Sequence, residues 1–189
     1  MANELSGLRV AFLTSNEGVE QAELTAPWQA VTDAGGTPEL IAPEAGEVQA
    51  FNHLDKDDAF PVDRTLRDAD HGDYDALVIP GGVANSDLLR TVPAAVSFVR
   101  RHFAAGKPAA VICHGPWVLV EADLIRDRTL TSWPSLKTDI ENAGGTWIDS
   151  EVQVCPAGPN TLVTSRKPDD LPAFCATLTR VFSRQSQSA

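Results

Sequence analysis

One cysteine in this sequence stands where a thiol can do chemistry. Cys113 follows the apolar run PAAVI (108–112) and precedes His114-Gly115-Pro116. A buried strand that gives way at once to a helix leaves a sharp turn on the residue between them. Such a turn strains the backbone and lifts its side chain out at the top of the sheet. The helix that follows supplies free amides and the positive end of its dipole, and both favour a thiolate, so the thiol is expected below its ordinary range. Gly115 keeps the backbone accessible, and Pro116 suits a first helical position. A free cysteine more commonly serves as a small buried hydrophobe. Cys155 and Cys175, at a strand end and on a helix face, are read that way.

Three further groups can complete a site around the sulfur. His114 is adjacent in sequence, and an imidazole folded back onto the thiol acts as its base; without Cys113 it would read as a surface histidine. Glu20 follows the first strand after a short loop. A carboxyl close to a thiolate holds its own proton more tightly and can donate and relay it. Spacing alone does not choose Glu20 over Glu17 or Glu23, which read as solvated carboxylates at a helix start. Gly81-Gly82 ends another strand and offers close backbone approach and amides for a substrate oxyanion, although glycine pairs end many strands. His53, His71 and His102 sit in polar loops or on a helix and receive no role.

The elements that must position these groups follow from alternating apolar runs and helical patterns. Residues 8–14, 38–43, 75–80 and 108–112 read as buried strands. A helix covers 27–34, with Pro27 first, or starts near Gln21 with Pro27 as a kink. Residues 46–73 form a polar excursion with a predicted hairpin of 48–51 against 62–66. Pro93 opens a helix whose Val92, Val96, Val99 and Phe103 fall on one face of a 3.6-residue period. Further helices are predicted over 116–125, 135–143 and 168–182, a short strand over 129–133, and an antiparallel pair of 147–154 with 161–165. Strand and helix in alternation define an α/β fold, a mostly parallel sheet with helices on both faces. Ligands of such sheets bind beyond the carboxyl ends of the strands, where the three site segments fall.

Composition narrows the function classes. The chain has 189 residues, enough for one domain over 1–189 with a core spanning about 8–182 and a frayed polar tail at 183–189. A net charge of -11 repels phosphate backbones and anionic lipids and disfavours nucleic-acid and membrane partners. No apolar stretch approaches the ~20 residues of a spanning helix. The polar N-terminus lacks the order of a signal peptide. Three cysteines with no C-x-x-C pair argue against a disulfide framework or a zinc site and for a reducing cytoplasm. No metal or cofactor set is legible, and no Gly-x-Gly-x-x-Gly or phosphate loop follows the first strand.

Together the segments VAFLTSNEGVEQAEL, DALVIPGGVANSDLLR, PAAVICHGPWVLVEA and TLVTSRKPDDLPAF resemble the PfpI intracellular protease family of the ThiJ/PfpI superfamily, from Leu8 to Phe182. The resemblance implies a flavodoxin-like sandwich, related to glutamine amidotransferase-like folds, with a nucleophile elbow at Cys113. It implies that Glu20 is the carboxylic acid facing the sulfur. It also implies that Asp87, just after the Pro-Gly-Gly loop, orients the histidine of a neighbouring subunit, so that a homodimer is the functional unit. Val19 replaces an aromatic common in that family, and Ser86 a proline. The leading expectation is a stress-related, cofactor-independent cysteine enzyme acting on reactive carbonyls, glyoxalase- or deglycase-like. The rivals are a cysteine peptidase or amidase acting on protein or peptide, and a redox sensor or chaperone with an oxidisable Cys113.

Overall fold

The computed structural model describes residues 3–184. In chain order its elements are β1 (Arg9–Leu13), β2 (Glu17–Glu20), α1 (Gln21–Asp33), β3 (Thr37–Ala42), β4 (Glu47–Asn52), β5 (Asp55–Pro61), β6 (Arg64–Thr65), β7 (Ala76–Ile79), α2 (Val83–Leu89), α3 (Pro93–Ala104), β8 (Ala109–Ile112), α4 (Pro116–Glu121), β9 (Thr129–Leu130), α5 (Lys137–Asn142), β10 (Thr146–Trp147), β11 (Val152–Cys155), β12 (Leu162–Ser165) and α6 (Leu171–Ser183). Of the expected frayed tail over 183–189, Ser183 closes α6 and Arg184 is its C-cap; the rest lies outside the described residues.

The main sheet has seven strands in the order β11-β12-β8-β7-β1-β3-β6. Every pairing is parallel except β11 with β12. Its parallel centre, β3-β1-β7-β8-β12, is the flavodoxin-like order, with the crevice at the point where strand order reverses. The apolar runs are continuous because both faces are covered. Along β1, Val10 and Phe12 enter one core cluster with Leu24, Val31, Phe174 and Phe182; Ala11 and Leu13 enter the other with Phe98, Val99, Phe103 and Leu119. So α1 and α6 cover one face, and α3 and α4 the other. No helix among the described residues is long and apolar enough to cross a membrane.

Of the two readings of the first helix, the structure takes the longer: it starts at Gln21, with Pro27 inside it, because residues 17–20 are drawn into an extended strand paired with β4. Other elements differ from their sequence reading. The excursion does hold a hairpin, but β4 pairs antiparallel with 55–61 rather than 62–66. Its second strand, DKDDAFP, is almost wholly exposed, so no apolar alternation announces it. Arg64–Thr65 instead extends the main sheet beside β3. The short helix α2, directly after Gly82, had no sequence signal. Residues 147–154 divide between β10, which pairs parallel with β9, and β11.

Candidate active site

Cys113 sits at the carboxyl end of β8 with φ of 63°, the left-handed region that a residue with a Cβ rarely adopts. The conformation is held from both sides: its N–H donates to the Ser165 carbonyl at 3.0 Å, and its carbonyl accepts from the Trp133 amide at 2.9 Å. Pro116 opens α4 immediately after it, as the sequence implied. The side chain is buried rather than lifted into solvent, with 6% of the residue exposed. The backbone amides of Gly82 and His114 point at the sulfur.

The carboxyl that faces the sulfur is Glu23, not Glu20. Glu23 is fully buried. Its Oε2 accepts the Gly81 N–H at 2.8 Å, and its Oε1 accepts no N–H or O–H among the described residues. Burial pushes its pKa up to about 8, and the neighbouring charge of Glu20 pushes the same way. Burial, reinforced by the Glu23 charge, pushes the Cys113 thiol up as well, against the pull of the two amides. This reverses the direction expected from the elbow alone. The two amides act in the expected direction, but at a residue this buried the loss of solvation outweighs them. Thiol and carboxyl are therefore linked, by a hydrogen bond and by the Glu23 charge. Glu20 instead accepts the His53 N–H through Oε2 at 3.1 Å and lines the same pocket.

His114 does not fold back onto the thiol. Its ring lies 5.0 Å from that of Trp117 and 5.9 Å from that of Trp133, the latter stacked at 24°. Its Nδ1 is buried with no hydrogen-bond partner among the described residues. Burial lowers its pKa to about 4, so it is neutral at physiological pH. Of the glycines, only Gly82 gives its amide to the sulfur. The Gly81 amide is occupied by Glu23 and that of Gly115 by the Ile112 carbonyl at 2.9 Å. Both are close-approach positions: an added Cβ would lie 2.5 Å from Cys113 Cβ at Gly81 and 2.7 Å from Val111 Cγ1 at Gly115. Asp87 lies on α2 and does not line its own chain's pocket. Its carboxylate pairs with Arg90 at 2.7 Å, and the Arg90 guanidinium lies over the Trp117 ring at 4.8 Å.

The pocket over the sulfur has a volume of about 170 Å³ and is lined by Glu20, Glu23, His53, Leu54, Gly82, Val83, Cys113, His114, Trp133 and Pro168. Sequence reasoning read Glu23 as a solvated carboxylate, and its full burial overturns that; a signal existed: it shares a face with Pro27 and Val31, at spacings of four and eight, and a carboxyl on the apolar stripe of a helix is out of place. The contributions of His53 and Leu54 had none, because they depend on the hairpin register. Among the described residues, no group of three or more His, Cys, Asp or Glu side chains is arranged to hold a metal ion.

A thiol on a positive-φ elbow, above the carboxyl ends of a flavodoxin-like sheet and beside a buried carboxyl, defines the class: α/β proteins built around a nucleophile elbow. The chain belongs to the DJ-1/PfpI family, whose profile matches residues 8–180. It is 37% identical over 166 residues to protein/nucleic acid deglycase 2 of Escherichia coli (strain K12), covering 88% of this chain and 92% of that one. It is 38% identical over 155 residues to general stress protein 18 of Bacillus subtilis (strain 168), covering 82% and 87%. The fold matches a two-domain protein of Anabaena variabilis with DJ-1/ThiJ/PfpI-like and ferritin-like domains, at a TM-score of 0.82 and 32% identity. That match covers 92% of this chain, which spans about half (48%) of the two-domain protein.

Proposed function

We propose that this chain is a stress-related, cofactor-independent cysteine enzyme that acts on reactive carbonyls through Cys113, in the manner of a glyoxalase or deglycase. The observation that carries the reading is the Cys113–Glu23 pair, a nucleophile and a proton carrier closed together in one small pocket. The names of the relatives support it, a protein/nucleic acid deglycase and a general stress protein among them. For an α-oxoaldehyde, the Cys113 sulfur adds to the aldehyde carbon and the carbonyl oxygen takes a proton, giving a hemithioacetal. The Gly82 and His114 amides, directed at the sulfur, favour its charged form for the attack. Glu23 removes the proton from the former aldehyde carbon and returns one to the adjacent carbon. The first carbon is oxidised to a thioester as the second is reduced to an alcohol. Water then hydrolyses the thioester, releasing a 2-hydroxy acid and restoring the thiol. The net change is addition of one water to the dicarbonyl.

Pocket size favours this reading over a peptidase. Sites for drug-sized ligands span ~300–1,000 Å³, whereas this pocket, at about 170 Å³, is smaller than a site for an extended peptide. The unpartnered Nδ1 of His114 supports a second element, a homodimer in which the neighbour's Asp87 orients that imidazole. Three free cysteines suit a reducing, cytoplasmic setting. The test is direct: assay methylglyoxal, a methylglyoxal-modified thiol and peptide amides with the same preparation and with Cys113→Ala. Consumption of the first two, lost in the variant, is expected. Cys113-dependent amide cleavage without carbonyl turnover would overturn the reading.

A further inference from the structure

The mouth of the Cys113 pocket carries exposed apolar side chains. Leu54, Val83, Leu88 and Trp133 are the exposed large apolar residues among those described, and all but Leu88 line this pocket. Leu54 is the most exposed, at 86%, and sits at the tip of the β4–β5 hairpin. A leucine so exposed gains nothing for the fold. The tip is nevertheless fixed. His53 holds φ of 57°, a conformation that persists only when neighbours over-determine it, and its N–H donates to Glu20 Oε2 at 3.1 Å. The next residue, Gln21, binds the returning strand twice: Nε2 donates to Asp58 Oδ2 at 3.0 Å, and Oε1 accepts the Asp58 N–H at 2.9 Å. Two consecutive residues at the start of α1 thus clamp the hairpin over the nucleophile, one turn from Glu23.

We infer that the hairpin tip is the specificity element of this pocket: Leu54, with Val83 and Trp133, receives an apolar substituent on the carbonyl substrate, and Glu20 is the positioning residue that holds the tip in place. The inference rests on the carbonyl reading of the site. It assigns the substrate class as α-oxoaldehydes with a branched or aromatic substituent, in preference to methylglyoxal. A hydrophobic pocket discriminates by a factor of about ten or more per well-buried group.

The experiment compares phenylglyoxal with methylglyoxal by the ratio of kcat/KM values in the wild type, Leu54→Ser, Glu20→Ala, Glu20→Gln and Leu88→Ser. The wild-type ratio is expected to favour phenylglyoxal by about tenfold. Leu54→Ser and Glu20→Ala should each lower it severalfold, mainly through KM for phenylglyoxal. Glu20→Gln should restore it, because the amide oxygen still accepts from His53, and Leu88→Ser should leave it unchanged. A parallel readout needs no turnover: rates of Cys113 labelling by phenacyl bromide and by bromoacetone, in which the thiolate displaces bromide. If neither dicarbonyl is consumed but the labelling ratio follows the same pattern, the carbonyl reading falls and the specificity element stands. If both are consumed and neither ratio responds to Leu54→Ser, the specificity element is overturned. Equal loss of the ratio in Glu20→Gln and Glu20→Ala would overturn the positioning role.

Discussion

At the residue scale, the central feature is a buried thiol beside a buried carboxyl. Cys113 and Glu23 are both pushed up by burial; the Glu23 charge opposes ionisation of the thiol, whereas the hydrogen bond from Cys113 favours the carboxylate. At neutral pH these shifts keep both groups protonated, so the proposed reaction requires the thiol to give up its proton as the sulfur attacks. The arrangement leaves a signature in stability. Between the ordinary carboxyl value of 4.5 and about 8, the native state keeps a proton on Glu23 that the unfolded chain has lost. Stability must therefore fall as pH rises through that interval. His102 and His114, lowered by burial to about 4, act in the opposite sense but only below their ordinary 6.5. The window from 6.5 to 8 thus isolates Glu23. The Tm of the wild type is expected to decline across it, and that of Glu23→Gln to stay nearly flat. Parallel curves would place the Glu23 pKa outside this interval.

At the element scale, the site depends on where strands stop. The elbow is legible in sequence because PAAVI, Cys113 and Pro116 mark strand end, turn and helix start in consecutive positions. Its partner is less so. Whether Glu20 or Glu23 meets the sulfur depends on the start of α1, and that start is fixed by the pairing of β2 with a hairpin whose outer strand carries no apolar pattern. A tertiary contact 31 residues away thus decides which carboxyl is in the site, as the Glu20–Phe51 register shows. Glycine was legible as close approach, but the division of labour was not: Gly81 and Gly115 serve packing, and Gly82 alone offers a donor to the sulfur. Gly82 has φ of 93°, and a Cβ there would run into the Gly18 carbonyl oxygen and the Glu20 amide. Gly82→Ala is expected to lower stability by about 2 kcal/mol, from the left-handed penalty together with the clash. It should also slow Cys113 alkylation, since the amide donor moves. Chemical denaturation and alkylation kinetics read the two effects separately; unchanged alkylation would remove Gly82 from the site.

At the scale of the whole molecule, the parallel sheet, its two helical layers and the crevice beyond its carboxyl ends were readable from the order of apolar runs, since every central strand is buried on both faces. Assembly is not written in a single chain's pattern. The proposed dimer has a clean test in Asp87, whose carboxylate meets Arg90 within its own chain while His114 Nδ1 meets nothing among the described residues. Mixing Cys113→Ala subunits with Asp87→Asn subunits creates sites with intact Cys113 and a neighbour's intact Asp87. Activity should reappear after reassembly. Mixed dimers that form but stay inactive would confine Asp87 to its own chain or exclude it.

The most direct test of the account is the turnover of an α-oxoaldehyde by Glu23→Gln, measured beside wild type, Glu20→Gln and Cys113→Ala. Glutamine fills the same buried position but cannot relay a proton, and loss of general acid–base catalysis costs about 10²–10⁴-fold. Glu23→Gln is expected to lose kcat on that scale and Cys113→Ala to lose turnover entirely. Glu20→Gln should retain most of its kcat, with the acidic-to-neutral transition of its rate profile moved below about 8, because one charge beside Glu23 is gone. If Glu20→Gln abolishes kcat while Glu23→Gln preserves it, the proton carrier is Glu20 and the Cys113–Glu23 pair is not the catalytic unit.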